Sequence, residues 1–468
     1  MRISAIIQIA QQYFLLGIIG VVIIIGVFLI GYFLIYKKIM KGTKKLNAGK
    51  VGLWSIFLIY IIIVLGATIG TRSSGWFGGV NLHLFSSYKD AWNSFSLGEW
   101  RNLIFNILMF VPLGFMLPFL FKKCEKWYIT YFVGFVATLF IEILQFISKR
   151  GIFELDDIVN NTLGCIIGYG IVMILSLNFR KKDKKKGLII LSYQIPLIIT
   201  IISFAVIFIS YSKQELGNLQ INSSYKIDMS TIDVRTKLKM DDKFKKAYIY
   251  KTPIGTKDEA INLANGIFSN LNTKIDEPQN DEYDETIVFK SENGDYSLLV
   301  NYKGFTTWYT DFTKLESRGK EKLTYEEVKD LLSKFNIDLP KKGTFTDNGK
   351  GAYTISFDLV KSGDVYLDGQ LTCTIDENNV VTSFNNDIIN YEPYKEYEIL
   401  SLEEAYNKIL KGEFKAYGML PENSKMEITG VNLNYILDSK GFYQPVYDFT
   451  VKCDGDLNNI FISALKIN

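Results

Sequence analysis

Six long apolar runs occupy the first 211 residues, and this feature limits the possible folds more than any other. A helix needs about 20 residues to cross the hydrocarbon core of a bilayer, because each residue adds only 1.5 Å. The runs lie near 14–36, 51–71, 103–121, 127–147, 158–178 and 188–211. The first run has no Ala-x-Ala-like cleavage site, which favours an uncleaved helix over a signal peptide. The sequence therefore predicts a transmembrane bundle of about six α-helices.

The charges of the connecting loops predict the orientation of this bundle. The loop after the first run contains six lysines and no acidic residue, and the loop after the fifth contains six basic residues and one aspartate. The loop after the third run has three lysines and one glutamate, whereas the other two loops are nearly balanced. Basic loops remain in the cytoplasm under the positive-inside rule. The N-terminus and the residues after 211 are then expected outside the cytoplasm.

The two parts of the chain differ strongly in charge. Residues 1–211 contain 21 Lys and Arg against 8 Asp and Glu, a net charge of +13, whereas residues 212–468 have a net charge of −10. The basic residues of the first part stand between apolar runs, which is the pattern of a membrane protein. An acidic soluble part lacks the basic surface that nucleic acid needs. We therefore expect membrane lipids, and not nucleic acid, as partners.

Residues 212–468 carry a repeated helix-start pattern. Thr256, Thr324 and Ser401 are each followed three residues later by Glu, which is the capping-box signature of a helix N-terminus. Alternating, strand-like segments follow each helix, namely 285–289 with 296–302, 353–359 with 369–375, and 431–437 with 445–453. The pattern returns roughly every 70–77 residues. It predicts an extracytoplasmic α+β domain of repeated modules, each with one helix packed on antiparallel strands.

Motifs for metal, cofactor or nucleophilic chemistry are not found in the sequence. The chain has one histidine, His83, and no CxxC pair, which excludes HExxH and zinc-ribbon patterns. No Walker loop, GxSxG or GxGxxG is present. We expect no cofactor and no metal. Cys373 and Cys453 both lie in strand-like segments, and the sequence leaves open whether they form a disulfide.

Polar residues inside the apolar runs are the main candidates for a functional site, since each costs roughly 3 kcal/mol in hydrocarbon. The candidates, in the third, fourth and fifth runs, are Asn102, Asn106, Glu142, Gln145, Asp157 and Asn161. The predicted topology places all of them toward the extracytoplasmic ends of their helices, with Arg101, Lys149 and Arg150 at the rim. They predict one polar pocket in the outer leaflet. In a purely structural alternative, Asp156 or Asp157 caps the fifth helix, Asn102 caps the third, and Gln145 extends to the membrane interface.

Glycine pairs separated by four residues occur in two of the runs. Gly66 and Gly70 lie in the second run, and Gly164 and Gly168 in the fifth. Small residues at this spacing allow helix backbones to approach closely in lipid. They predict tight helix packing in the bundle.

The spacing of the polar residues resembles the VanZ-like family. The matching motifs are Asn102-x3-Asn106-x3-Phe110-x-Pro112-x-Gly114, Glu142-Ile-Leu-Gln145-Phe, Arg150 and Asp157-x3-Asn161-x2-Gly164, and the resemblance covers about residues 51–180. This family consists of bacterial membrane proteins named for a protein of glycopeptide (teicoplanin) resistance. The resemblance implies that Asn106, Glu142, Gln145, Arg150, Asp157 and Asn161 are the functional positions. The segment Gly441-Phe-Tyr-Gln-Pro-Val-Tyr-Asp-Phe449 resembles YycH/YycI-type and PepSY-like extracytoplasmic regulatory domains.

These observations predict four regions: residues 1–50 with a helix and a basic loop, 51–180 as the VanZ-like domain, 181–211 with the sixth helix, and 212–468 outside. Three functions remain open. The pocket can bind a lipid or a lipid-linked wall precursor, while the outer domain binds wall material, a drug or another envelope protein. Alternatively, the outer domain regulates an envelope signalling system without catalysis. A third possibility is an enzyme that uses Glu142 and Asp157 on a lipid-linked substrate. The absence of nucleophile motifs favours the first two.

The predicted topology can be tested with a reporter that is active only in the cytoplasm. Fused after Asn468, the reporter should be silent, because the basic loops hold the opposite side of the bundle in the cytoplasm. The same reporter fused after Lys123, in a predicted cytoplasmic loop, is the positive control. Strong activity of the fusion after Asn468 would contradict the topology.

Overall fold

A computed structural model describes most of the chain. The described residues are 31–39, 47–70, 79–179, 188–189, 191–240, 245–283, 285–315, 319, 322–340, 343–362, 365–416, 423–454 and 456–466, with isolated positions between 14 and 41. The chain divides into two compact units, Met1–Gln214 and Glu215–Asn468. Each unit is described by itself below.

The first unit is a helical bundle. Its helices are α1 (Ala48–Leu65), α2 (Ser86–Ser94), α3 (Leu97–Leu120), α4 (Trp127–Ile147), α5 (Leu155–Phe179) and α6 (Ile195–Lys213). The turn Gly66–Gly70 continues α1 as a π-helix. Within the described residues, α1 with its π-helical turn, α3, α4, α5 and α6 are long and apolar enough to cross a membrane. Five apolar helices are thus present; the run predicted at 14–36 and the basic loop at 180–187 fall largely outside the described residues, so the predicted count of six is not confirmed.

Helices α3 and α5 pack backbone against backbone. A Cβ atom on Gly164 would lie 1.9 Å from the carbonyl oxygen of Ile107, and one on Gly168 would lie 2.0 Å from that of Val111. Both contact pairs advance by four residues in the same direction, so the two helices run parallel. From the other side, a Cβ atom on Gly114 would meet the carbonyl oxygen of Cys165 at 1.9 Å. The tight packing predicted for Gly164 and Gly168 is confirmed, because a side chain at either position would overlap the backbone of α3.

Helices α4 and α1 complete this core by packing on α5 and α3. Gly134 of α4 faces Cys165, whose Sγ lies 3.6 Å from the carbonyl oxygen of Thr130. Tyr60 of α1 donates a hydrogen bond of 2.9 Å to the carbonyl oxygen of Met109 in α3. Buried polar groups therefore find their partners on neighbouring helices, as the low dielectric of a membrane requires.

The second unit is rich in β-structure. Two short strands, β1 (Val80–Asn81) and β2 (Phe153–Glu154), belong to the first unit. The strands of the second unit are β3 (Asp233–Thr236), β4 (Lys245–Lys251), β5 (Asp281–Glu282), β6 (Thr286–Lys290), β7 (Tyr296–Asn301), β8 (Thr307–Asp311), β9 (Thr344–Gly349), β10 (Ala352–Ser362), β11 (Val365–Ile375), β12 (Val381–Asn386), β13 (Ile389–Ile399), β14 (Lys425–Leu437), β15 (Phe442–Cys453) and β16 (Asp456–Ser463). The strands of the second unit form a 14-stranded sheet with the order β3-β14-β15-β4-β13-β11-β12-β8-β7-β6-β5, to which β16, β10 and β9 add at β15, β11 and β10. Among the strand pairs that the described residues form in this sheet, only β14–β3 is parallel. The paired strand-like segments that the sequence predicts are present as the antiparallel hairpins β6–β7, β10–β11 and β14–β15.

Three helices accompany this sheet, namely α7 (Lys257–Asn270), α8 (Tyr325–Ser333) and α9 (Leu402–Leu410). All three predicted capping boxes are present, at Thr256 with Glu259, Thr324 with Glu327, and Ser401 with Glu404. In each, the hydroxyl accepts from the Glu backbone N–H and the Glu carboxylate accepts from the backbone N–H of the cap residue.

Among the described residues of this unit, two large hydrophobic cores lie along the sheet, with two smaller clusters. One contains buried residues of α7 and α8, such as Phe268 and Leu332, with strands β6 to β12. The other contains Ile409 of α9 with strands β4 and β13 to β16. Strand β13 connects the two parts, because its start pairs with β11 and the rest of it pairs with β4. Since two helices share one core, the expected series of equal one-helix modules is not confirmed.

The four cysteines are free thiols in the structure. Cys373 is buried in the core of α7 and α8, where burial raises its pKa to about 12. Cys453 ends β15, on the other part of the sheet. The disulfide that the sequence left open between Cys373 and Cys453 is therefore not formed.

The α3–α5 contact predicts the effect of a single methyl group. Gly164→Ala should lower the stability of the protein in detergent by about 1–3 kcal/mol, the usual cost of overpacking, because the new Cβ meets the backbone of Ile107. Thermal unfolding followed by circular dichroism measures this change. The matched control is Gly52→Ala in α1, where no atom lies within 4 Å of the new Cβ. Equal stability of the two variants would contradict the close contact.

Candidate functional site at one end of the bundle

The candidate residues gather at the end of the bundle where α3 and α5 begin and α4 and α6 end, which we call the polar end. Strand β1 before α2 pairs in parallel with β2, in the connection between α4 and α5. The rings of Phe208 and Tyr211, in the last turns of α6, pack on Trp100 in the first turn of α3 and on Trp92 of α2. These contacts bring four helix ends and the short helix α2 to one level.

Asp156 attaches α2 to the bundle. Its carboxylate is buried and accepts hydrogen bonds from the backbone N–H groups of Phe85 at 2.6 Å and Ser87 at 2.8 Å. These groups begin α2, where a carboxylate is favoured by the helix dipole and by the N–H groups that lack helical partners. Phe85 itself has a positive φ of 63°. Asp156 therefore caps α2, not its own helix as the alternative interpretation of the sequence held.

Tyr88 makes a second connection between α2 and α5. Its hydroxyl donates to Oδ1 of Asn160 at 2.5 Å, and Asn160 is fully buried. Burial, with smaller contributions from the carboxylates of Asp156 and Asp157, raises the pKa of Tyr88 to about 12, so the phenol keeps its proton at neutral pH. The pairing of Tyr88 with Asn160 is not predictable from the sequence, because no local pattern shows which face of α5 meets α2.

Asn106 and Asp157 meet directly. The Nδ2 group of Asn106 donates to Oδ1 of Asp157 at 2.5 Å. The parallel packing of α3 and α5 makes this contact possible, since it brings the third turn of α3 beside the first turn of α5. Asn102, one turn earlier on α3, is exposed. It does not cap α3 either, because Ser96 is the N-cap residue and its hydroxyl accepts from the N–H of Glu99.

Glu142 is the most deeply buried candidate acid, with only 1% of its surface exposed. It lies five residues before the end of α4, about 7–8 Å along the helix axis. Its Oε2 atom accepts a hydrogen bond of 3.2 Å from the backbone N–H of Glu154 in β2. The carboxyl group of Glu142 thus fixes the connection between α4 and α5 against the inside of the bundle.

Gln145 and Arg150 bind the end of α1. Nε2 of Gln145 donates to the carbonyl oxygen of Thr68 at 3.0 Å, and Nη1 of Arg150 donates to that of Ile69 at 3.0 Å. Both carbonyls belong to the π-helical turn Gly66–Gly70, where the last backbone oxygens of a helix lack partners along the chain. One function of these two candidates is therefore to cap α1, and Gln145 is buried and does not extend to the interface.

Asn161 joins α5 to α4 and leaves hydrogen-bonding capacity unused. Its Nδ2 group donates to the hydroxyl of Thr138 at 2.9 Å, and both residues are buried. Among the residues that the structure describes, the buried polar atoms without a hydrogen-bond partner include Oδ1 of Asn161, Oε1 of Gln145 and Nδ2 of Asn160. Buried polar atoms are nearly always paired in proteins, so atoms of this kind need an explanation. Two of the three are acceptors on α4 and α5 near Glu142.

The arrangement has limited chemical possibilities. Within the described part of the chain, no group of three or more His, Cys, Asp or Glu side chains has the geometry to hold a metal ion. The polar end does combine the carboxyl groups of Glu142, Glu154, Asp156 and Asp157 with amide side chains and the guanidinium of Arg150. Such a set can bind a polar group through hydrogen bonds.

The sequence of the helical bundle is similar to that of known proteins. Residues 53–176, which hold nearly all of α1 to α5 and all seven candidate residues, match a family model described as VanZ/LLP1. Protein VanZ of Enterococcus faecium is 30% identical over 97 residues, which are 19% of this chain and 53% of that protein. The chain therefore spans about half the length of this relative.

Two solved structures resemble the chain only weakly. An uncharacterized protein from Eubacterium rectale aligns with a TM-score of 0.28 and 13% identity, over 52% of this chain and 92% of that one. The C-terminal domain of Bacillus megaterium YpeB aligns with a TM-score of 0.20 and 11% identity, over 45% and 93%. Likenesses of this size support no inference about fold or function.

The attachment of α2 predicts the effect of changing Asp156. Asp156→Ala removes both acceptors from the N–H groups of Phe85 and Ser87. The free energy needed to open α2 should therefore fall by about 0.5–2 kcal/mol. Hydrogen exchange of residues 79–95 in nanodiscs measures this opening. Glu99→Ala, which removes an exposed carboxylate from the first turn of α3, is the control and should leave the exchange unchanged. Unchanged exchange in both variants would show that Asp156 does not hold α2.

Proposed function

We propose that this chain, in which residues 53–176 form a VanZ-like domain, is a cell-envelope membrane protein whose polar end binds the head of a lipid or of a lipid-linked wall precursor. The observation that supports this proposal is the buried, unused hydrogen-bonding capacity of Gln145 and Asn161 beside Glu142, within the described residues. Through its resemblance to VanZ, the chain is further proposed to contribute to glycopeptide resistance of the teicoplanin type.

The chemistry of the free atoms selects the kind of ligand. Oε1 of Gln145 and Oδ1 of Asn161 are acceptors, so they require donors such as sugar hydroxyls or amide N–H groups. A buried polar atom without a partner costs about 1–3 kcal/mol, and a ligand that supplies the donor recovers this energy. Lipid-linked wall precursors carry both kinds of donor on a head that lies next to the bilayer. Arg150 uses Nη1 on Ile69, and its guanidinium has further N–H groups with which to meet a phosphate.

Orientation is part of the same proposal. If the basic loops lie in the cytoplasm, the polar end opens to the outer leaflet and residues 215–468 lie outside the cell membrane. Wall precursors and glycopeptides are both encountered on that side. The outer domain would then stand where it can contact wall material, a drug or another envelope protein.

A regulatory function is the second candidate, and it is favoured by how the second unit begins. The backbone N–H of Gly217 donates to the buried carboxylate of Asp438 at 2.7 Å, and its carbonyl accepts from Nε2 of Gln444 at 2.9 Å. A Cβ on Gly217 would lie 2.4 Å from the backbone nitrogen of Lys440, so only glycine fits. The residues that directly follow α6 are thus built into the β14–β15 hairpin. A domain whose first residues are ordered within its own sheet suits a regulatory function carried by that domain.

Substitutions of Glu142 test the proposed pocket. Glu142→Ala should abolish resistance in cells that express the variant, because the buried acid both fixes the α4–α5 connection and lies beside the free acceptors. Glu142→Gln should retain much of the activity if the carboxyl group only forms hydrogen bonds, and should fail like Ala if it carries charge or moves a proton. Teicoplanin susceptibility is the assay, with membrane levels checked by blot.

A control and a direct binding measurement complete this test. Glu125→Ala removes an exposed carboxylate from the short connection between α3 and α4 and should leave resistance unchanged. Native mass spectrometry of purified protein should show a bound lipid, and undecaprenyl-linked species would identify a wall precursor whereas phospholipid would identify a membrane lipid. A variant that loses one or two hydrogen bonds to the lipid should bind it about 5- to 150-fold more weakly. Normal resistance of Glu142→Ala at equal abundance would contradict the pocket, and a reproducibly lipid-free protein would favour the regulatory function.

A further inference from the structure

The loop between β1 and α2 exposes large apolar side chains in series. Val80, Leu82, Leu84 and Phe85 are 51%, 62%, 48% and 52% exposed, respectively. A single exposed apolar residue is normal on a protein surface, but a contiguous group of this kind usually marks an interaction surface. None of these four side chains takes part in the site described above. Only the backbone N–H of Phe85 does, through its hydrogen bond to Asp156.

The position of this loop along the bundle is fixed by hydrogen bonds. Asp156, which holds the backbone of Phe85 and Ser87, is the second residue of α5, one of the five apolar spans. Val80 pairs with Phe153, two residues before α5 begins. The loop therefore lies at the level at which α5 enters the membrane, and not at a distance from it.

The exposed apolar surface of the spans continues to the same level. Leu97, the first residue of α3, is 62% exposed, and Ile147, the last residue of α4, is 70% exposed. Both side chains belong to helices that are long and apolar enough to cross a membrane. The loop thus extends a surface that faces lipid, which identifies lipid as the neighbour of its side chains.

The residues around the loop have the composition of a membrane interface. α2 presents Ser86, Ala91 and Asn93 to the protein, and its aromatic residues Tyr88 and Trp92 pack on α3 and α6. Lys89 of α2 and Lys149 after α4 are exposed at the same end. Lysines that stand beside an apolar, aromatic surface are typical of segments that lie at the boundary between headgroups and acyl chains.

We propose that residues 80–94 form an interfacial segment that lies in the plane of the membrane and inserts Leu82, Leu84 and Phe85 among the lipids at the polar end. The partner is the phospholipid bilayer itself. Asp156, Tyr88 and β1 hold the segment against the bundle, while its apolar side chains face outward. The proposal does not depend on whether the polar end binds a ligand.

Fluorescent labels at single cysteines test this insertion. Leu82→Cys and Leu84→Cys, each combined with Cys453→Ser, are labelled with the fluorophore NBD in the full-length protein and reconstituted in vesicles of phosphatidylcholine and phosphatidylglycerol. Ile147→Cys is the reference for lipid contact. Leu457→Cys is the matched control, because Leu457 is an exposed leucine, at 69%, of the second unit. Protein with only Cys453→Ser gives the background from the three buried cysteines.

The expected result is that labels at 82 and 84 behave like the label at 147. Brominated acyl chains should quench them several-fold more strongly than they quench the label at 457, and aqueous iodide should quench them several-fold less. Strong quenching by iodide and none by brominated lipid at both positions would overturn the proposal and leave the loop in water. Because no ligand or drug is present, the result is independent of the test of Glu142.

Discussion

The close, parallel contact of α3 and α5 determines the geometry of the first unit. Because Gly164 and Gly168 bring the backbone of α5 against that of α3, these contacts set the register of the two helices. That register places Asp157 opposite Asn106. It also turns Asn161 toward Thr138 of α4 and Asn160 toward Tyr88 of α2. Close packing at glycines, without any polar side chain, thus decides which polar groups can meet.

The polar residues of the bundle have more than one function each. Gln145 and Arg150 supply donors to the last carbonyls of α1, and Asn161 supplies a donor to Thr138. Such hydrogen bonds are what a helix bundle in lipid needs, so their presence alone does not indicate a ligand. What distinguishes Gln145 and Asn161 is the oxygen that each retains after these contacts are made, as far as the described residues show.

Local sequence patterns predicted local structure well. The capping boxes at Thr256, Thr324 and Ser401 and the three hairpins depend on residues only a few positions apart, and all are present. The partners of Asp156 were not predictable, because Phe85 and Ser87 are about 70 residues away and no pattern marks an N–H group that needs an acceptor. Likewise, the caps on α1 depend on its π-helical end, which has no sequence signature. The sharing of one core by α7 and α8 follows from how the strands pair over long distances.

The contacts of Glu142 explain why structure and binding are difficult to separate at the polar end. A buried acid in lipid needs a hydrogen-bonding partner whichever protonation state it adopts. The backbone N–H of Glu154 is one such partner. A ligand with hydroxyl or amide donors would supply further hydrogen bonds to the same carboxyl group. The same carboxyl group can therefore hold the α4–α5 connection in the free protein and still respond to what enters beside it.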